Sequence, residues 1–206
     1  MDAQAFWRVI GEYNQHTAAV QGVLLLFLAA SLALSYCGKV RWLAKFALGI
    51  LHLYLGVVFF GIYGTEPIQK FFALPLYVCC GCLFLYESAR RRDDPLQKPT
   101  PWQTVLLLLY LCYPLASLAL GNTFPQMVTH VMPCPAVSAG IAVYAGYQKK
   151  NPLLLALLTV WGLTGIKSLL FSAYEDLILL VCGIYGVWLL AKYWRRAKKR
   201  AAPPLK

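Results

Sequence analysis

Few side chains in this chain could do chemistry, and the most isolated of them is a histidine. His52 lies inside a long apolar stretch, in the string Leu51-His52-Leu53-Tyr54. A polar side chain at membrane depth is costly and therefore marks a candidate functional position. Three roles are open for His52: a hydrogen bond between helices, a step in a proton relay, or a contact with a ligand.

A second candidate is the string Pro133-Cys134-Pro135, which follows His130 closely. A thiolate with a nearby imidazole suits copper, zinc or mercury, so His130 and Cys134 are candidate ligands for a soft metal. The alternative is a structural role, in which the prolines provide a rigid start for a helix. The sequence predicts no cofactor.

Opposite charges meet across a short turn near the C-terminus. Lys167 precedes Glu175 and Asp176, and these residues are expected either to pair or to form a charged vestibule. The sequence has no constellation of catalytic residues, so we expect a protein that is not an enzyme. The candidate substrate-binding residues are His52, Tyr110, Tyr113, Asn122, His130, Cys134, Lys167, Glu175 and Asp176.

The elements that must position these residues are membrane helices. The 206 residues are 60% hydrophobic and only 13% charged, with a mean hydropathy of +0.59. A bilayer core about 30 Å thick needs roughly 20 apolar helical residues. We expect one all-α domain, a polytopic transmembrane helix bundle of about seven spans, at 18–36, 42–63, 71–88, 102–120, 133–147, 152–170 and 174–194.

The basic residues orient these spans. Sixteen of the 19 lysines and arginines follow the first, third, fifth and seventh spans, which leaves only Arg8, Lys70 and Lys167 for the other side. Loops rich in Lys and Arg stay in the cytoplasm. The sequence therefore predicts an outside N-terminus, a cytoplasmic C-terminus and a cell (inner) membrane location. This topology accounts for the net charge of +11 without nucleic-acid binding.

Three segments outside the spans carry expectations of their own. The arm before residue 18 has one apolar helical face, which predicts a short interfacial helix on the outer surface. The connection 121–135 is long and broken by proline, and it is expected to fold back into the membrane and place His130 and Cys134 beside the fifth span. The basic cytoplasmic tail, 195–206, is expected to bind anionic lipids.

The chain resembles a family of bacterial integral membrane proteins known as domain of unknown function 6064. The resemblance covers most of the chain and implies a polytopic fold without naming an activity. It is carried by these strings: Glu12-Tyr13-Asn14, Tyr54 with Gly56-Val57, Glu66-Pro67, Tyr113-Pro114, Gly121, Phe124-Pro125, Pro133-Cys134-Pro135, Trp161-Gly162-Leu163 and Glu175-Asp176.

Three functional classes fit the sequence. The first is a permease for a small molecule or ion, in which His52, Tyr110, Tyr113 and Asn122 would line a cavity. The second is a non-catalytic accessory or assembly subunit, which would form a homo- or hetero-oligomer through small-residue faces such as Ala136 to Gly140. The third is soft-metal handling or an intramembrane enzyme. The lipid bilayer is the one partner common to all three.

Overall fold

A computed structural model describes residues 3–201, with the side chains of residues 3, 170, 171 and 199–201 left aside. Within this range the chain is helical and contains no strand, apart from one isolated bridge between Leu96 and Tyr147. The α-helices are α1 (Ala3–Tyr36), α2 (Leu43–Tyr54), α3 (Leu74–Arg90), α4 (Pro101–Leu111), α5 (Tyr113–Ala119), α6 (Pro133–Tyr144), α7 (Pro152–Leu163), α8 (Ser168–Phe171) and α9 (Leu177–Ala201).

Segments of π-helix and 3₁₀-helix extend several of these α-helices. A π-helix, Leu55–Ile62, continues α2, and a second one, Gln69–Ala73, leads into α3. Short 3₁₀ turns follow α7 (Thr164–Lys167) and precede α9 (Tyr174–Asp176). Such interruptions concentrate at functional sites and hinges in other proteins.

Four helices of the described chain are long and apolar enough to cross a membrane: Gln4–Tyr36, Leu43–Ile62, Gln69–Arg90 and Tyr174–Lys198. The pair α4 and α5 is a fifth if it counts as one span, although it bends by 52°. Pro114 explains the bend, because it has no N–H to donate to the carbonyl of Tyr110. The seven predicted apolar segments are thus helical, whereas seven crossings and their orientation stay predictions.

The prediction of a separate interfacial helix before residue 18 is wrong. The helix α1 runs without a break from Ala3 to Tyr36. The first half of α1 is held by packing and hydrogen bonds within the protein rather than by contact with the membrane surface, because Tyr13 and Asn14 are fully buried within the bundle. The amphipathic pattern of the arm therefore reflects a face packed on protein.

The helix α6 is the centre of the bundle. It has 12 residues, about 18 Å of helix at 1.5 Å each, and every one except Cys134 is buried. A helix that is apolar all round and short is typical of a buried core element. The small-residue face from Ala136 to Gly140 is consequently used inside the chain, where a Cβ on Gly140 would lie 3.4 Å from Leu158 and 3.5 Å from His52.

Two glycines allow a close helix contact between α7 and α9. A Cβ on Gly183 would lie 2.5 Å from the backbone carbonyl carbon of Gly162, and a Cβ on Gly162 would lie 2.7 Å from the Cα of Gly183. Only residues without a Cβ allow two backbones to approach this closely. This contact fixes α9 against α7 just before the 3₁₀ turn Thr164–Lys167.

The connections gather at two ends of the bundle. At one end, which we call the basic end, Arg41, Asp94, Tyr147 and Lys149 join the first, third and fifth connections through hydrogen bonds. At the other end, the second, fourth and sixth connections meet the first turns of α1 around the start of α6. The C-terminal helix reaches Ala201, and residues 202–206 of the predicted lipid-binding tail lie outside the described part.

Candidate functional site

A cavity of about 250 Å³ lies at the end of the bundle where α6 begins. Helix α1, both π-helical segments, and the starts of α6 and α9 contribute to its wall. Most of the lining is apolar, including the rings of Phe6, Phe59, Phe60 and Phe72. The polar lining comes mainly from Cys134, Trp161, Thr164, Lys167, Ser168 and Asp176, and we call this space the Asp176 cavity.

Three polar atoms on the cavity wall are buried and pair with no oxygen or nitrogen atom of the described residues. They are Oδ1 of Asp176, Nε1 of Trp161 and Oγ of Ser168. The thiol of Cys134 lies beside the Asp176 carboxyl and the Trp161 indole. Buried polar atoms are nearly always paired in native proteins, so three orphans in one cavity point to a ligand or to solvent.

The position of Asp176 follows from a tight turn after α8. Ser172 adopts a left-handed conformation with φ of 54°, and the 3₁₀ turn Tyr174–Asp176 then leads into α9. Gly165 lets this turn approach closely, because a Cβ there would lie 2.7 Å from the carbonyl oxygen of Asp176. Asp176 is thereby directed into the bundle.

Lys167 does not form the ion pair with Glu175 or Asp176 that the sequence allowed. The described residues contain two ion pairs between side chains, and both lie at the basic end. Lys167 is exposed and lines the cavity rim together with Glu66. Of the two expectations for Lys167, a place in a charged vestibule fits the structure better than an ion pair with Glu175 or Asp176.

Glu175 anchors the wall instead of lining it. Its Oε1 accepts hydrogen bonds from Ser117 Oγ at 2.8 Å and from Asn122 Nδ2 at 3.4 Å, while Oε2 is buried without a partner. Ser117 Oγ also accepts from the backbone N–H of Val128 at 3.0 Å. Glu175 and Asn122 thus connect α5, the fourth connection and the start of α9.

The fourth connection packs on α1. Asn14 Nδ2 donates to the carbonyl oxygens of Pro125 at 2.7 Å and Met127 at 2.8 Å. Tyr13 donates to the carbonyl of Val131 at 2.7 Å, and Thr129 donates to Gln21 Oε1 at 2.7 Å. These bonds satisfy the irregular backbone and hold Met132 and Val128 in place as cavity wall.

His130 and Cys134 have different neighbours, so the structure does not bring the two predicted soft-metal ligands to a shared site. The His130 ring stacks edge-on with Tyr110, 5.1 Å between centroids, and Nε2 lies 3.3 Å from the carbonyl of Leu111. Burial lowers the pKa of His130, while the Leu111 carbonyl acts in the opposite direction. No group of three potential metal ligands occurs within the described residues.

His52 and Tyr113 are core residues away from the cavity lining. His52 is fully buried, with Nδ1 2.8 Å from the carbonyl of Leu48, its ring stacked on Tyr77 and Nε2 without a partner among described residues. The hydroxyl oxygen of Tyr113 lies 3.3 Å from Ser138 Oγ. The sequence predicted that His52, Tyr110, Tyr113 and Asn122 would line one cavity. None of these four residues lines the Asp176 cavity.

An ionic cluster closes the basic end. Lys45 Nζ lies 3.3 Å from Asp94 Oδ2 and 4.1 Å from the centre of the Tyr147 ring. Glu87, fully buried, accepts from Arg91 at 2.9 Å. Burial also lowers the pKa of Lys150, opposed by the charge of Asp94. The sequence interpretation counted Lys45 among the basic residues that follow the first span, and the structure buries it in the core.

Three of the nine predicted binding residues, Cys134, Lys167 and Asp176, share the Asp176 cavity. The polar residues of the cavity wall that the sequence interpretation missed include Trp161, Thr164 and Ser168. The position of Trp161 in the middle of the predicted span 152–170 was a signal that it could face the interior of the bundle. Ser168 gave no signal, since a serine beside a turn is ordinary.

Comparisons with known proteins place this chain in a family but identify no individual relative. Neither the curated proteins nor the solved structures gave a match. One family model, described as a family of unknown function (DUF6064), matches residues 3–201, and the chain therefore belongs to that family.

Proposed function

We propose that this protein is a multi-pass permease of the bacterial inner membrane that binds a small solute in the Asp176 cavity. One observation carries the proposal: a cavity of about 250 Å³ in a helical bundle places three unpartnered buried polar atoms on an otherwise apolar wall. Ligand sites have this composition, with a few polar groups that orient a ligand inside an apolar enclosure.

The outer surface of the bundle supports a membrane location. Large apolar side chains are exposed along the long helices, such as Val23 and Leu26 on α1 and Ile184 on α9. Contiguous apolar surface of this kind is rare on soluble monomers and is expected where lipid contacts protein. Lipid contact also accounts for the low burial of α1 and α9.

The two ends of the bundle support the proposed orientation. The first, third and fifth connections meet at the basic end, and the second, fourth and sixth meet at the cavity, as an alternation of seven crossing segments requires. The positive-inside rule then assigns the basic end to the cytoplasm. The Asp176 cavity faces outward in this orientation.

A permease must also close the path beyond its binding site. Between the cavity and the basic end, His52 stacks on Tyr77 at 5.5 Å, and Phe84 packs on Tyr144 at 5.6 Å. Passage therefore requires helices to move. The π-helical segments interrupt two helices at the cavity wall, and α4 and α5 meet at a 52° bend beside Pro114. Discontinuous helices of this kind occur in transporters.

The other functional classes receive less support. The small-residue face that an accessory subunit would have offered to a partner is buried against His52 and Leu158. Soft-metal handling would need His130 beside Cys134, and their contacts diverge. We therefore propose neither, and we propose no enzymatic activity.

Solute flux tests the permease proposal. Purified protein reconstituted in vesicles should accumulate or release a solute from a broad panel of small amines, alcohols and carboxylates. Ala73 lines the cavity, so Ala73→Phe should fill it and reduce flux about tenfold or more, whereas Ala119→Phe on the exposed surface should leave flux unchanged. Equal flux with and without protein for every solute would end the proposal.

A further inference from the structure

We infer that the Asp176 cavity takes a small organic cation, a protonated amine with an apolar body. The inference deepens the proposed function and rests on it only in using the same cavity as the solute site. It is carried by the unpaired carboxyl group in the deep wall, the few N–H donors at the start of α6, the aromatic lining and the size of the space.

The deep wall of the cavity offers a carboxyl group without a counter-charge. Asp176 Oδ1 is buried and unpartnered, and no cationic side chain of the described residues forms an ion pair with it. Glu175 precedes it in the sequence and is 2% exposed, and no ion pair with a described cationic side chain involves it either. Lys167 is exposed at the rim, where Glu66 also lies. A cationic ligand would supply the missing partner.

The start of α6, which borders the cavity, is a poor binding site for an anion. A helix N-terminus binds anions through its free backbone N–H groups. At this end Pro133 and Pro135 have no N–H, which leaves Cys134 as the one donor among the first three helical residues. The start of α6 is therefore poor in N–H donors for a phosphate or a carboxylate.

The hydrogen-bonding atoms next to Asp176 also suit an ammonium group. Ser168 is 4% exposed and its Oγ, which has no partner among the described residues, can accept an N–H. An ammonium has three donors, so Asp176 and Ser168 would satisfy two of them. The Trp161 indole N–H is a donor only and would remain for the carboxylate or for water.

Aromatic rings form much of the remaining wall. Phe6, Phe59, Phe60, Phe72 and Trp161 line the cavity, and the rings of Phe60 and Trp161 lie 5.4 Å apart. Ring faces attract a cation that has lost part of its hydration. The same rings favour an apolar body, so a ligand with an ammonium head and a hydrocarbon body matches both parts of the wall.

The size of the cavity limits the ligand. A volume of 250 Å³ equals the liquid volume of about eight waters at about 30 Å³ each. Drug-sized ligands need pockets of about 300 to 1,000 Å³. The space therefore suits a molecule on the order of ten non-hydrogen atoms, such as a phenylalkylamine.

Binding of matched compounds to the full chain in lipid nanodiscs tests the inference. The probes are 2-phenylethylamine, 2-phenylethanol and 3-phenylpropanoate, which share a ring and differ in the charge of the head. Calorimetric titration should show the amine binding about tenfold to a hundredfold more tightly than the alcohol, with the carboxylate weakest. Asp176→Asn should remove the preference for the amine and keep the alcohol affinity, which also reports that the variant is folded.

Glu12→Gln is the control, because it removes one exposed carboxylate from the same end of the bundle without touching the cavity. It should retain the preference for the amine. A preference for the carboxylate or alcohol, or an amine preference that survives in Asp176→Asn, would overturn the inference and leave the permease proposal standing. Amine binding without flux would instead contradict the permease proposal alone.

Discussion

Lys45 and Asp94 form an ion pair of 3.3 Å in which neither side chain is appreciably exposed, at 0% and 2%. The pair joins α2 to the third connection, and Asp94 Oδ2 also accepts the backbone N–H of Lys149 at 3.3 Å. One buried carboxylate thus ties three segments together at the end of the bundle opposite the Asp176 cavity.

Removing one charge of this pair should destabilise the protein strongly. Lys45→Met leaves Asp94 buried without its counter-charge, which costs about 3 to 5 kcal/mol. The free energy of unfolding, measured by denaturant titration in mixed micelles, should fall by that amount. Lys39→Met removes an exposed charge from the first connection, six residues before Lys45, and should change the free energy of unfolding by less than about 0.5 kcal/mol. Equal losses in both variants would contradict a structural role for the pair.

The contact between Gly162 and Gly183 should tolerate no methyl group. Gly183→Ala places a Cβ 2.5 Å from the carbonyl carbon of Gly162, so α7 and α9 must separate, at about 1 to 3 kcal/mol. Thermal unfolding in detergent should show the loss. Gly22→Ala, where nothing lies within 4 Å of the new atom, should leave stability equal or raise it by up to about 1 kcal/mol. A neutral Gly183→Ala would refute the close approach of these helices.

Asn14 should control the order of the fourth connection. Asn14→Ala removes the donors to the carbonyls of Pro125 and Met127, and each buried acceptor left unpaired costs about 1 to 3 kcal/mol. Amide hydrogen exchange at residues 127–132 should accelerate, with the rest of the bundle unaffected. Gln15→Ala on the exposed side of α1 is the matched control and should exchange as the parent does.

Acidification should loosen the same connection through His130. Burial holds the pKa of this histidine below its usual value of 6.5, so the folded state favours the neutral ring. The unfolded connection therefore binds more protons than the folded one. The stability that the neutral His130 contributes is fully present above pH 6.5, and it is lost as the pH falls from 6.5 towards the lower pKa of the folded state. Amide protection near Val128, corrected for intrinsic rates, should decrease between about pH 7.5 and about pH 5.5.

His130→Gln should abolish this pH dependence while leaving the protection at neutral pH largely in place. A decrease on acidification of the same size in His130→Gln would assign the effect to another group.

The helical segments could be predicted from sequence because each is a long apolar run. Hydropathy could not predict which run is buried in protein, since lipid tails are as apolar as leucine. That is why α6, surrounded by other helices, was read as a span of 15 residues and the amphipathic start of α1 as a surface helix.

The candidate site was predictable only in part. Asp176, Lys167 and Cys134 stood out as polar residues near the end of an apolar segment, and they do line one cavity. Trp161 and Ser168 belong to it because of the turn at Ser172 and the approach at Gly165, which depend on tertiary packing. Lys45 was interpreted as a loop charge because its buried partner, Asp94, is 49 residues away.

Access to the thiol of Cys134 tests the central claim, that the Asp176 cavity is an outward-facing solute site. The protein for this test keeps Cys134 and the buried Cys80 and Cys182, with serine at the exposed positions Cys37, Cys79, Cys82 and Cys112. Intact cells are treated with a small membrane-impermeant methanethiosulfonate reagent added from outside.

We predict that Cys134 is modified from outside, that a bound solute or Ala73→Phe slows the modification about tenfold or more, and that a protein with Cys37 as its one exposed cysteine is spared. A Cys134 that reacts at the same rate with and without Ala73→Phe would contradict the cavity as its route of access. Modification of Cys37 in place of Cys134 would contradict the orientation, and with it the account of an outward-facing solute site.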